Sequence, residues 1–277
     1  MIPVVAGSNP VGHPRKWRRP ALRRAAPAPA LQALLGAALQ QIEHNAQQAC
    51  KSPDGEFLHQ LRVGLRRLRA ALRAFRRILP RKETKRLVRA LRKLSPKLGT
   101  ARDWDVLAAR LEADGGSEAL LRKAQARRAT ARRAARRAIV SKRFAGIGPA
   151  VRGLAAADSR ETLAQFGAAA LARAHRKLMA QADRADWADA AARHAVRIRI
   201  KRLRYSCEFF ASAFPSRLAT PYIAALKELQ EILGALNDIT VGRRLIGFDA
   251  DEAVLLRGLG VAWPRLAKRP VFWREPA

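Results

Sequence analysis

The chain has 277 residues, 49 % of them hydrophobic, and carries 55 lysines and arginines against 22 acidic residues, a formal net charge of +33. This hydrophobic fraction excludes a disordered polycation, because such chains have too little apolar surface to form a core. The excess of positive charge predicts polyanions or anionic surfaces as partners.

Residues 1–29 are predicted to form a basic disordered tail. Its arginines precede the stretch "APAPALQALLGAAL", but two prolines and a glutamine interrupt the apolar run, which is not typical of a signal peptide. No run approaches the roughly 18 apolar residues of a membrane-spanning helix. We therefore expect a cytoplasmic protein without membrane insertion. The two distant cysteines, Cys50 and Cys207, indicate free thiols in a reducing compartment.

Two stretches of the sequence recur at the same offset. "HQLRVGLRRLRAALRAF" at 59–75 aligns without gaps with "HAVRIRIKRLRYSCEFF" at 194–210, 135 residues later. The same offset aligns "LRKLSPKLGTARDWDV" at 91–106 with "LKELQEILGALNDITV" at 226–241. Independent matches in one register predict an internal duplication of a domain-sized module, too long for a solenoid repeat.

The apolar spacing throughout both modules is typical of helices, and no alternating strand pattern is evident. We predict an all-α fold of two helical bundles, the first at residues 30–148 and the second at 149–277. Glycines and prolines mark the expected helix ends. In particular, helices near 83–98 and 219–234 are predicted to stop before Gly99 and Gly234.

The repeated segment predicts a helix with two seams. At about 100° per residue, the leucines from 58 to 72 form an apolar seam, and cationic residues form a second seam roughly 100° around the helix. The first cationic stripe consists of His59, Arg62, Arg66, Arg69 and Arg73. The second cationic stripe consists of His194, Arg197, Lys201 and Arg204. A solvated basic face is the simplest interpretation. However, like charges at these spacings oppose helix stability unless a ligand neutralises them, which favours a track for an extended polyanion.

The helix after the first stripe adds Arg89, Lys93 and Lys97 at spacings of three and four. Each stripe begins with a histidine, for which phosphate contact, a structural hydrogen bond and catalysis are the alternatives. Metal binding is disfavoured, since no second ligand lies at metal-binding spacing. Surrounding cations should lower the pKa of each histidine and a bound phosphate should raise it, which predicts tighter binding at mildly acidic pH.

Asp103 and Asp238 are acidic positions common to both modules. One interpretation places Asp103 in the first turn of a new helix that Thr100 caps after Gly99. A second, compatible role for these aspartates, which have Asp105 and Asn237 nearby, is to brace an arginine of an adjacent helix by a charged hydrogen bond.

These motifs together resemble the CHAD family, the conserved-histidine α-helical domain, over roughly residues 31–275. The resemblance implies two helical bundles, related by pseudo-twofold symmetry, around a basic channel that binds inorganic polyphosphate. The contacts that it implies are His59, Arg62, Arg66, Arg69, His194, Arg197, Lys201 and Arg204, with Arg73 and the basic residues between 86 and 97 as looser assignments. In the second module, Glu208 and Glu228 replace the matching Arg73 and Lys93.

We therefore expect non-catalytic binding of polyphosphate, as free chains or in granules, without a cofactor. Nonspecific nucleic-acid binding is the main alternative, although aromatic residues make up only 6 % and do not interleave with the basic residues as stacking platforms would. An enzyme is disfavoured because neither a phosphate loop nor metal-holding carboxylates are evident. The sequence leaves the oligomeric state open.

Overall fold

A computed structural model describes residues 13–18, 20–22, 25–247 and 251–274. All regular structure within these residues is helical, and no strand is present among them, which confirms the all-α prediction. The α-helices are α1 (Pro27–Lys51), α2 (Gly55–Ala74), α3 (Arg81–Ala113), α4 (Glu118–Ile139), α5 (Lys142–Ala145), α6 (Ile147–Arg152), α7 (Leu163–Ala182), α8 (Ala190–Phe210), α9 (Ser216–Ile246) and α10 (Ala253–Ala267). Within these residues, no helix is both long and apolar enough to cross a membrane.

Local sequence explains where several of these helices start and stop. Thr162 and Gln165 form a capping box at the start of α7, in which each side chain bonds to the other's backbone. The Asp189 carboxylate accepts hydrogen bonds from the first backbone N–H groups of α8. Helix α9 ends at Gly247, whose φ of 71° is the left-handed conformation that glycine adopts without strain.

Helices α3 and α9 run on through Gly99 and Gly234, so the predicted helix ends at these glycines are wrong. A glycine inside a helix costs about 1 kcal/mol relative to alanine. In α3, however, Leu98, Ala101 and Trp104 continue the buried apolar face past the glycine, and tertiary packing of such a face outweighs local propensity. Thr100 accordingly donates its hydroxyl to the Pro96 carbonyl inside α3, and it caps no new helix.

The described residues divide into two compact units. Unit 1 contains residues 13–18, 36–68 and 87–152, and unit 2 contains residues 20–22, 25–35, 69–86, 153–247 and 251–274. Helices α1, α2 and α3 each contribute residues to both units. The predicted domain limit at 148/149 lies inside α6. The domain limits and the internal duplication stay predictions.

The core of unit 1 contains buried leucines of α2 and α3 together with Leu39 and Ile42 of α1. Gly64 of α2 lies close to Ile42 of α1, because a Cβ atom at Gly64 would be 2.9 Å from the Ile42 Cγ1 atom. Beside this contact, the buried Gln41 amide donates to Gln60 over 2.9 Å. The absence of a side chain at Gly64 therefore lets α1 and α2 pack in close contact.

The core of unit 2 contains a cluster of three phenylalanines. Phe75, which follows α2, lies 5.3 Å from Phe166 of α7 and 5.0 Å from Phe210 of α8, measured between ring centroids. All three side chains are fully buried. A Cβ atom at Gly167 would be 2.9 Å from the Phe210 ring, so this glycine makes room for the cluster.

Part of the predicted disordered tail contacts α1. The backbone N–H of Arg15 donates to the Asn45 side-chain oxygen (3.1 Å), and the Asn45 amide donates to the Arg15 carbonyl (2.9 Å). Trp17 lies under the Arg67 guanidinium, 4.7 Å from its carbon to the ring centroid. Asn45 of α1 thus bonds to the backbone of Arg15, and the disorder of residues 1–29 stays a prediction. Residues 1–12, 19, 23 and 24 of the tail lie outside the described residues.

A buried ion-pair cluster joins α3 to α4 in unit 1. Asp105 is only 4 % exposed, and its Oδ1 atom accepts from the Nε atoms of Arg128 (2.9 Å) and Arg132 (2.7 Å). The sequence predicted such a role for Asp103, whereas here Asp105, two residues later, accepts from the two arginines. One carboxylate thus holds two arginines of the basic helix α4 against α3.

Asp105→Asn should lower the free energy of unfolding by about 3 kcal/mol, because it removes the one negative charge between two guanidinium groups. The control is Asp114→Asn, since Asp114 pairs with Arg110 but is half exposed; its cost should stay below about 1 kcal/mol. Urea denaturation followed by circular dichroism measures both. Equal losses in the two variants would contradict a special contribution of the buried cluster.

Candidate functional site

Helix α2 carries the first cationic stripe along a single unbroken helix. The leucines at positions 58, 61, 65, 68 and 72 are buried, and all five stripe residues are half-buried beside them. The two-seam arrangement expected from the sequence is therefore present on α2. Long cationic side chains can occupy such a border because their stems lie on apolar surface while their charged ends reach water.

Arg62 lies directly against the backbone of α3. A Cβ atom at Gly99 would be 2.9 Å from the Arg62 Nη1 atom, so any side chain there would displace the guanidinium. Gly99, which was predicted to end a helix, thus leaves room for the Arg62 guanidinium of the first stripe to lie against α3.

His59 shares this part of unit 1 with three arginines. Burial, followed by the charges of Arg102, Arg66 and Arg62, lowers the pKa of His59 to about 4, although Glu56 opposes the shift. Arg102 was not among the predicted site residues. Its position three residues after Gly99, on the same face of α3, is the sequence signal that could have identified it.

Arg66 contributes a buried donor to this cluster. Its Nε atom is buried, and it has no hydrogen-bond partner among the described residues. Buried N–H groups in proteins are nearly always paired, so a donor of this kind in a cationic cluster is suited to an oxygen of a bound anion. We call His59, Arg62, Arg66 and Arg102 the unit 1 cluster.

The second cationic stripe lies on α8 in unit 2. His194 is exposed, and its Nδ1 atom donates to the Asn237 side-chain oxygen of α9 over 2.9 Å. Arg197 and Lys201 are half-buried beside the apolar seam of α8. The histidine of each stripe thus lies near a residue 43 positions later, Arg102 in unit 1 and Asn237 in unit 2.

The last cation of the second stripe is partly neutralised. Arg204 donates from Nε to the Gln230 oxygen (2.9 Å) and forms an ion pair with Glu208 one turn later on α8. Glu208 occupies the place of Arg73 in the alignment of the two stretches. The first stripe therefore has the cation Arg73 at the position where the second stripe has Glu208, which pairs with Arg204.

The remaining predicted residues lie on α3 and in the last turns of α2. Arg89, Lys93 and Lys97 are exposed on α3. Arg69 and Arg73 belong to unit 2, where Arg73 lines a pocket with residues of α7 and α8. Within the ranges that the structure covers, no group of three histidine, cysteine or acidic side chains is arranged to hold a metal ion.

The low pKa of His59 predicts a pH-dependent stability. An unfolded histidine has a pKa of about 6.5, whereas His59 in the folded chain has a pKa of about 4. Between these values the unfolded chain binds more protons, so the free energy of unfolding should fall as the pH is lowered from about 6.5 toward 4. His59→Gln should make this fall shallower.

Urea denaturation at a series of pH values measures the fall, and NMR titration reports the pKa of His59 directly. Arg102→Gln serves as the companion variant, because removing that charge should raise the pKa of His59. An identical pH dependence in the wild type and His59→Gln would contradict the proposed coupling.

Several solved structures are similar to this fold. A crystal structure of the CHAD domain from the plant Ricinus communis has 30 % sequence identity, a TM-score of 0.73, and coverage of 95 % of this chain and 94 % of that chain. The fold also resembles PptA from Streptomyces chartreusis, with 18 % identity, a TM-score of 0.60, and coverage of 91 % of this chain and 100 % of that one. At 18 % identity, the similarity to PptA shows a shared fold only.

A comparison with curated proteins finds no match. The CHAD domain profile, in contrast, matches residues 33–247, which is most of the chain and includes both cationic stripes. The resemblance seen in the repeated motifs is therefore confirmed, and the chain belongs to the CHAD family.

Proposed function

We propose that the chain binds inorganic polyphosphate on its two cationic stripes and does so without catalysis. Membership of the CHAD family supports this, because the family resemblance implies polyphosphate as the ligand. The observation that carries the proposal is the unit 1 cluster, in which three arginines surround His59 and the Nε atom of Arg66 is buried without a partner among the described residues.

Polyphosphate suits the stripes because it repeats an anionic group along an extended chain. The positions from His59 to Arg73 extend about 21 Å along α2, at 1.5 Å per residue. Arginine presents paired N–H donors that match phosphate oxygens, which lysine cannot do in the same fixed geometry. Neutralising the stripe would also relieve repulsion between like charges at helical spacing.

Nonspecific binding of nucleic acid is the second candidate, and one observation favours it. Helix α4 exposes four arginines that pair with neither Asp105 nor Glu118 of the described ion pairs: Arg127, Arg133, Arg136 and Arg137. An exposed cationic surface of this kind attracts the phosphates of a duplex without regard to sequence. We propose that α4 contributes weak duplex binding alongside polyphosphate binding.

A competition experiment separates these candidates. Long polyphosphate competes against duplex DNA of matched charge at several salt concentrations, and binding to both should weaken steeply as salt rises. The stripe variant carries Arg62→Ala, Arg66→Ala, Arg197→Ala and Lys201→Ala. The matched control carries Arg127→Ala, Arg133→Ala, Arg136→Ala and Arg137→Ala, the same loss of charge from α4.

We expect the stripe variant to lose most of its preference for polyphosphate and the α4 variant to lose mainly DNA binding. Circular dichroism confirms that both variants remain helical. Equal weakening of both polymers in both variants would indicate a generic cationic surface, and nucleic-acid binding would then be the better proposal. Release of orthophosphate from polyphosphate, absent in the stripe variant, would contradict the non-catalytic part.

The glycines of α3 and α9 provide a second test with a built-in control. Gly99→Ala and Gly234→Ala should each stabilise their helix by up to about 1 kcal/mol through helix propensity. Only Gly99→Ala should weaken polyphosphate binding, because its Cβ atom would displace the Arg62 guanidinium, whereas a Cβ atom at Gly234 meets no atom within 4 Å.

Isothermal titration calorimetry with long polyphosphate, combined with thermal unfolding, measures both effects. Wild-type affinity in Gly99→Ala would show that the position of Arg62 against α3 is unimportant for binding. A comparable loss in Gly234→Ala would point to helix rigidity as the cause.

A further inference from the structure

Unit 2 contains a pocket on a different face of α8 from the second cationic stripe. Residues from the end of α2, from α7 and from α8 surround a volume of about 240 Å³. Its cationic lining consists of Arg73, Arg76, Arg173, Lys177, Arg199 and Arg202. The other lining residues, such as Ala174 and Ser206, are small and leave the space between the long side chains open.

The pocket and the second stripe are separated by the geometry of α8. At about 100° per residue, residues two apart on a helix point about 160° from each other. Arg199 is thereby directed away from Lys201, and Arg202 away from Arg204. The buried residues Ile200 and Leu203 lie on the apolar face between them. Of the residues that line the pocket, only Arg73 was assigned to a stripe.

The charges around the pocket are of one sign. The lining residues that the structure describes include no acidic side chain. Burial, followed by the charges of Arg76, Arg77 and Arg176, lowers the pKa of Arg173. Glu161 opposes this shift in part, and it forms an ion pair with Arg77 at 2.9 Å. A concave surface lined by one sign of charge concentrates counter-ions of the other sign.

We propose that this pocket is a second anion-binding site, which takes a short, multiply charged phosphate such as tripolyphosphate. The volume of about 240 Å³ has room for a few phosphate groups. Five of the six cations are arginines, whose paired donors fit phosphate oxygens. The inference goes beyond the proposed function, because it concerns another face of α8 and a smaller ligand.

The test uses the full chain and sodium tripolyphosphate, titrated by calorimetry at constant ionic strength. The first pocket variant, Arg173→Ala with Arg199→Ala, removes two cations. The second pocket variant, Ala174→Leu, fills the space and leaves every charge in place, so it separates the effect of shape from that of charge. It also tests the site if the first variant fails to fold. Arg217→Ala with Arg265→Ala is the matched control, since both residues are exposed and lie outside the pocket.

We expect both pocket variants to weaken tripolyphosphate binding more than tenfold, as expected for lost hydrogen bonds between charged groups. The matched control and a second-stripe variant, Arg197→Ala with Lys201→Ala, should each change tripolyphosphate affinity by less than about threefold. Long polyphosphate is titrated into the wild type and the same four variants. The second-stripe variant should lose affinity for the long chain whether or not the pocket binds tripolyphosphate.

Wild-type affinity for tripolyphosphate in Ala174→Leu would overturn the pocket site, because the filled space would then be irrelevant. The pocket site would also be overturned if the second-stripe variant lost as much affinity for tripolyphosphate as the pocket variants do. Tripolyphosphate and long polyphosphate would then share the stripe. Failure of long-chain binding alone would instead count against the proposed function and leave the pocket site standing.

Discussion

Repulsion between like charges beside an apolar core is the constraint on which the rest of this structure depends. Helix α2 must bury its leucines, yet the adjacent face carries four arginines and a histidine within fifteen residues. The core fixes the direction of these side chains, so they cannot disperse as they would on a flexible chain. The free energy of core packing thus holds the charges close together. An anion that neutralised them would bind side chains that are already ordered, so less conformational entropy would be lost on binding.

The chain relieves this repulsion in different ways in different places. The buried Asp105 of α3 forms ion pairs with two arginines of α4 and so offsets part of their charge. In α8, Glu208 forms an ion pair with Arg204 at the end of the second stripe. In the unit 1 cluster the compensation is of another kind: His59 gives up its proton, with a pKa of about 4, and remains neutral among three arginines.

Glycine has a positional role in this arrangement. Gly64 admits Ile42 of α1 to the core, and Gly99 admits the guanidinium of Arg62 to the surface of α3. Gly234 matches Gly99 in the alignment of the two stretches, yet a Cβ atom on it would meet no atom within 4 Å. Gly99 thus makes room for a neighbouring side chain in unit 1, whereas the matching Gly234 in unit 2 does not. Together with Glu208, this difference distinguishes the two stripes.

The sequence by itself determined the helical class, the family and the existence of two cationic stripes, because helical periodicity and a repeated register are local properties of the chain. It did not determine the continuity of α3 and α9 through Gly99 and Gly234, since burial on both sides of a glycine outweighs its poor helix propensity only once a partner surface exists. It also missed Arg102 beside His59, the contacts of Arg15 and Trp17, and the pocket lined by Arg173 and Arg199. These features join residues far apart in sequence, and only the tertiary structure decided them, because distances between helices are set by packing and not by spacing along the chain.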